Sequence, residues 1–142
     1  MTNSILKKAK NYCELNKHRL TEPRLAVLQI IALSEKPLGA YEILEILGQT
    51  IKNPKPPTAY RAIEFWQKHG FIHRIESLNA FVSCHADHNH KGSQFMVCND
   101  CGQVEEIHLC HLPIDLKQKI NSNGFKTNSW NLEVKGQCEE CQ

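Results

Sequence analysis

Apolar residues in the first half of the chain recur at helical spacing. Leu25, Leu28 and Ile31, with Val27 and Ile30, share one face of a segment that Thr21 can cap. Its Pro23 sits in the first turn, where a missing N–H costs nothing, so a helix ending near Leu33 is predicted. A short apolar-faced helix follows at Ala40–Leu47, with Gly48 expected to close it in the left-handed conformation. The proline-rich stretch 52–57 stops any helix. From Pro57 or Thr58 to His69, residues Ala59, Ala62, Ile63 and Trp66 fall at i, i+3, i+4 and i+7 and form one inward stripe. Thr58, Tyr60, Arg61, Glu64 and Lys68 then face away from the core. Gly70 ends this helix, and 72–76 and 80–84 read as two strands joined by the turn-prone Ser77-Leu78-Asn79. Three or four helices followed by a hairpin outline a winged helix.

The pattern changes at 85–92, a polar run of histidines closed by Gly92, which reads as a hinge between two domains, 1–84 and 93–142. Beyond it, 94–98 and 103–107 read as strands around a Cys98-Asn99-Asp100-Cys101 knuckle. Leu112, Leu116 and Ile120 mark a helix ending at Gly124, and 125–134 reads as a last strand before Cys138-Glu139-Glu140-Cys141. The fold class expected is therefore α+β, an N-terminal winged helix-turn-helix domain followed by a C-terminal α/β domain.

Composition sharpens this outline in two places. The 142 residues include seven cysteines and eight histidines. No apolar run reaches the roughly 20 residues a membrane span requires, and Lys7, Lys8 and Lys10 precede any apolar signal core. A cytoplasmic address without a membrane partner is expected, and there an odd number of cysteines favours metal over disulfides. The net charge of +2 is unevenly spread: residues 1–84 carry net +5 and residues 85–142 net −3. A basic first half suits a polyanionic partner.

Three constellations carry chemistry. Cys98/Cys101 and Cys138/Cys141 are two Cys-x-x-Cys knuckles separated by 36 residues, and four thiolates suit tetrahedral zinc. A redox dithiol of the thioredoxin kind would open a helix after a buried strand, and neither knuckle does. Second, His73, Cys84, His85, His88, His90, Glu105, Glu106, His108 and His111 supply imidazole, thiolate and carboxylate donors around the hinge, enough for one or two further tetrahedral sites; a solvated polar hinge is the plainer alternative. Third, Thr58, Tyr60 and Arg61 begin the fourth helix, where a recognition helix offers side chains to base edges, and arginine fits guanine O6 and N7. Periodicity alone favours an amphipathic helix with a solvated polar face; the hairpin and the basic half-chain reverse that preference. Tyr41 and Arg24 complete the candidate DNA contacts. No nucleophile and base stand at supporting spacing, so a non-enzyme is expected.

Arg19-Leu20-Thr21-Glu22-Pro23-Arg24, Pro57-Thr58-Ala59-Tyr60-Arg61-Ala62, Gly70-Phe71-Ile72-His73 and Cys98-Asn99-Asp100-Cys101-Gly102, with Cys138 and Cys141, together resemble the ferric uptake regulator family. The resemblance runs from about Leu15 to the C-terminus. Gly70-Phe71-Ile72-His73-Arg74-Ile75-Glu76-Ser77 and Phe81-Val82-Ser83-Cys84-His85 are most similar to its zinc uptake regulator branch, whose members are zinc-loaded homodimers that repress zinc acquisition genes. The resemblance implies two zinc sites per subunit, a dimerisation role for the C-terminal domain, and double-stranded operator DNA as partner. The structural site falls on Cys98, Cys101, Cys138 and Cys141. The regulatory site falls on His73, Cys84, a hinge histidine and a glutamate after the knuckle, assigned as His90 and Glu106 with His88 and Glu105 as alternates. Iron-type members carry a His-His-Asp-His run before the first knuckle; this chain has Gly92-Ser93-Gln94-Phe95-Met96-Val97 there. A member sensing iron, manganese or peroxide is the nearest alternative, and the soft thiolate of Cys84 weighs towards zinc.

Overall fold

Thr21 caps the second helix as its position suggests: its backbone is extended and its hydroxyl accepts the Arg24 N–H at 3.4 Å. The computed structural model describes residues 2–85 and 92–142. They form two units, Met1–His85 and Ala86–Gln142.

The first unit runs α1 (Thr2–Leu15), α2 (Glu22–Leu33), α3 (Ala40–Leu47), α4 (Pro56–Lys68), β1 (Ile72–Ile75) and β2 (Ala80–Ser83). Each helix buries one stripe, and Val27, Leu28, Ile43, Leu47, Ile63 and Trp66 meet in one core. Pro56 and Pro57 open α4 in its first two positions, where their fixed φ suits a helix start. The Glu42 carboxylate accepts the Gly39 N–H ahead of α3. Gly48 differs from expectation: it stays right-handed (φ −62°) because its N–H still reaches Leu44 O at 3.1 Å, one more helical turn in place of a reversal. The left-handed residue of this half that matters is Asn79 (φ 47°), which ends the single turn Glu76–Leu78 and starts the return strand. Strands β1 and β2 pair antiparallel, Ile72 opposite Ser83 and Ile75 opposite Ala80. Leu38 joins them through reciprocal bonds with Phe81 (3.1 and 2.8 Å), so the hairpin is tied back to the segment before α3. Helices followed by this hairpin make a winged helix-turn-helix.

The second unit holds β3 (Gln94–Cys98), β4 (Val104–Glu106), α5 (Ile114–Ser122) and β5 (Leu132–Gly136). Its sheet has the order β4-β3-β5, with β3 antiparallel to β4 and parallel to β5. The last strand is shorter than, and displaced from, the 125–134 expected: Phe125 is exposed, and pairing with β3 starts only at Leu132, where the Leu132 N–H meets Ser93 O at 2.9 Å. Residues 125–131 are mostly polar, and among the described residues they pair with no strand. Leu112 likewise precedes α5, separated from it by Pro113.

Candidate metal centre and nucleic-acid interface

The parallel pairing of β3 with β5 closes the 36-residue gap between the knuckles. Cys98 stands opposite Gly136 in the ladder, and the Asn99 N–H extends the pairing to Gly136 O at 2.8 Å. Cys138, two residues further on, therefore arrives beside Cys98, and its N–H points at the Cys98 sulfur at 3.4 Å. Each knuckle is one tight turn. In the first, the Gly102 N–H meets Cys98 O at 3.0 Å and the Cys98 N–H meets Gln103 O at 2.9 Å. The left-handed Gly102 (φ 74°) makes the reversal. In the second, the Cys141 N–H meets Cys138 O at 3.0 Å. Gln137 Nε2 donates to Asp100 Oδ2 at 2.6 Å, a strut from one knuckle to the other that spacing arguments about cysteine alone could not reveal.

All four sulfurs lie within 4.8 Å of one another, and no disulfide joins them. Cys101 Sγ and Cys138 Sγ are 3.7 Å apart. A tetrahedron with zinc–sulfur bonds of about 2.3 Å has edges of about 3.8 Å, whereas a disulfide would bring sulfurs to about 2.05 Å. The donor set fits zinc. Its electrostatics agree. Backbone N–H groups of Cys101 and then Cys138 stabilise the Cys98 thiolate and pull its pKa down to about 6. Cys141 is pushed up from the usual thiol value by its neighbours Cys138, Cys98 and Cys101, because a second negative sulfur beside the first is unfavourable. Cys98 ionises readily, Cys101 and Cys141 resist, and a divalent cation removes the conflict.

The second constellation separates into its units. In the first, β1 pairs with β2 so that His73 opposes Val82, and the Cys84 N–H continues the ladder to Phe71 O at 2.8 Å. Residues 71, 73, 82 and 84 thus share one face of the hairpin, and a His73 ring nitrogen lies within 4.8 Å of Cys84 Sγ. His85, on the opposite alternation, meets the Ser83 hydroxyl at 3.2 Å instead. In the second unit, Glu106 opposes the buried Phe95 and is half-buried, whereas Glu105 opposes the exposed Met96 and faces solvent. His108 and His111 are exposed. His88 and His90 lie outside the described residues.

On the winged helix, Ala59, Ala62, Ile63 and Trp66 are all buried, so α4 turns Tyr60 and Arg61 outward from its first two turns, with Thr58 half-buried at its start. Tyr41 opens α3 and is 78 % exposed. Arg24 differs from these: its guanidinium stacks on the ring of Phe65 and donates to the Arg19 carbonyl.

A winged helix followed by a sheet whose ends are held by four clustered thiols defines a metal-stapled helix-turn-helix protein. The ferric uptake regulator family model matches residues 16–135, and the chain belongs to that family. It is 33 % identical over 141 residues to the zinc uptake regulation protein of Escherichia coli (strain K12), covering 99 % of this chain and 82 % of that one. A solved zinc uptake regulator complexed with zinc and DNA superposes with a TM-score of 0.91 at 32 % identity, over 99 % of this chain and 95 % of the other. The crystal structure of holo XcZur gives 0.85 at 35 % identity, over 98 % and 97 %.

Proposed function

We propose that this protein is a zinc-responsive DNA-binding transcriptional repressor of zinc uptake genes, with zinc as corepressor, and that it has no catalytic activity. The observation that carries this reading is the likeness, over nearly the whole chain, to a zinc uptake regulator complexed with zinc and DNA. The four-thiol cluster supplies the structural zinc site, Cys98, Cys101, Cys138 and Cys141. Zinc there would hold the ends of β3 and β5 together as a Lewis acid shared by four thiolates.

The regulatory site is assigned to His73, Cys84, His90 and Glu106. Two observations support it: the imidazole–thiolate pair already formed on one face of the hairpin, and the half-buried position of Glu106 against solvent-facing Glu105. Its hinge ligand, His90 or the alternate His88, belongs to the segment between the units. One ion held by ligands of both units restricts their mutual angle and so selects the conformer in which two recognition helices fit successive major grooves. Thr58, Tyr60 and Arg61, with Tyr41, form the proposed DNA surface. The second unit carries Met96, Ile114, Leu116, Phe125 and Val134 as exposed apolar side chains, and α5 buries none of its residues within the chain. Such a surface suits pairing with a second copy, so the active form is a homodimer. Among the described residues no helix is long and apolar enough to cross a membrane. Action in the cytoplasm follows from the proposed DNA target.

The test is an anaerobic metal titration read out by binding to duplex DNA carrying a zinc-uptake promoter. Zinc at low free concentration should induce tight binding while iron and manganese do not. Equal or better activation by either of those metals overturns the zinc assignment in favour of an iron or manganese sensor.

A further inference from the structure

We propose that Arg24 is a positioning residue for DNA recognition: it acts through Phe65 to hold α4 at the angle that presents Arg61, and makes no DNA contact of its own. The proposal rests on the DNA-binding reading above.

Phe65 lies outside the buried stripe of α4, four residues after Arg61 and therefore on the same helix face one turn away. An aromatic ring there would stand in water. Instead the Arg24 guanidinium carbon lies 3.9 Å from its ring centroid, and the rings of His18, Trp66 and His69 flank it at centroid distances of 5.5, 4.9 and 4.6 Å. The guanidinium is further fixed by its Nη1 donating to Arg19 O at 2.5 Å. The main chain of the same residue engages the next position of α4: Trp66 Nε1 donates to Arg24 O at 2.6 Å. Residue 24 thus holds Phe65 with its side chain and Trp66 with its backbone, while Thr21 fixes its N–H.

Only arginine combines a flat, weakly hydrated cation that can lie on a ring with in-plane N–H groups that reach a carbonyl. The stack takes one face of the guanidinium and the Arg19 carbonyl one of its five N–H groups, so the side chain is held against α4 at two points. Direct base readout depends on the placement of α4, because a bidentate arginine–guanine pair requires both bonds in line; contacts to phosphate tolerate small shifts. Loosening the Arg24–Phe65 stack should therefore impair specific binding and spare the non-specific component.

The experiment uses the zinc-loaded full chain, a duplex enriched from a random pool by the parent protein, and a shuffled duplex of equal composition. Affinities are measured over a range of salt, well below the melting temperature of each variant and at equal zinc content. Arg24→Lys keeps the charge and removes the planar stack, and should weaken binding to the enriched duplex about tenfold. Affinity for the shuffled duplex and the slope of log affinity against log salt should stay at the parent values. Phe65→Leu should copy this result, and the double variant should lose no more than either single one, as expected when both changes break one contact. Phe65→Leu carries the test alone if Arg24→Lys does not fold. Three results overturn the proposal: parent-like specific affinity in Arg24→Lys; equal losses on both duplexes with the salt slope reduced by about 0.9, the mark of a lost phosphate contact; or additive losses in the double variant. A parent protein that enriches no duplex fails the DNA-binding reading itself.

Discussion

Gly92 sits at φ 107°, and a Cβ placed there would come within 1.7 Å of the Trp130 carbonyl oxygen. That close approach lets Ser93 N and Oγ reach Asn131 Oδ1 at 3.0 and 3.2 Å, so that β3 enters the sheet beside β5. Gly92→Ala should cost on the order of 3 kcal/mol, since both backbone strain and a backbone clash must be relieved. A melting curve settles this, and an unchanged midpoint would refute the geometry. Arg61 stands where the helical period predicts, exposed in the first turns of an amphipathic helix. Arg61→Ala should lose about 1–3 kcal/mol on a specific duplex and relax preference at one base pair, with zinc content unchanged. Equal weakening on specific and random DNA would place Arg61 on phosphate. For Arg24 the sequence offered no sign of its partner: only the packing of α2 on α4 shows the guanidinium stacked on Phe65.

At the scale of elements, the β1–β2 hairpin brings together an imidazole and a thiol eleven positions apart in the sequence. The alternation of side chains puts His73 and Cys84 on one face, and the left-handed Asn79 sets the register that aligns them. Cys84→Ser keeps this hairpin and replaces a strong zinc ligand by a poor one. The variant should stay folded, keep its structural zinc, and no longer tighten on DNA when zinc is added; His73→Ala should behave alike. Zinc content and DNA affinity with and without zinc decide it, and a Cys84→Ser protein with a normal response refutes the site. Helices α2 to α4 and the hairpin were readable because their signals are local: a cap, a proline start, a 3.6-residue stripe, a turn. The start of the last strand was not, because pairing with β3, which begins only at Leu132, is set by a segment distant in the chain. Gly48 was misread because a glycine after a helix permits a left-handed residue without requiring one.

For the whole molecule, the four-thiol cluster joins the C-terminal ends of β3 and β5 alongside the sheet ladder and the Gln137–Asp100 strut. Structural zinc sites carry on the order of 10 kcal/mol of folding free energy, more than a unit this small is expected to have in reserve. Cys138→Ser should therefore unfold the second unit and abolish the dimer. Sedimentation and zinc analysis test this, and a folded dimer with its full zinc content would refute the assignment. Acid should act in the same direction. With its pKa lowered to about 6, Cys98 is ionised at neutral pH, and the stabilisation its thiolate gives is present above the ordinary thiol range and lost as pH falls through about 6. Protons compete with zinc for the thiolates, so the loaded chain should release zinc to a chromogenic chelator more readily as pH falls; release independent of pH between 7 and 5 would contradict this. The spacing of four cysteines, the helical stripes and the basic first half were enough to indicate a zinc-stapled winged helix, because ligand type, helix period and charge are properties of residues read one after another. Which glutamate turns towards the buried side, which arginine stacks on a ring and which stands exposed, and how two knuckles 36 residues apart bring four sulfurs within 4.8 Å of one another were decided only in three dimensions. Each depends on strand register or helix packing, and these are set by contacts between segments distant in the chain.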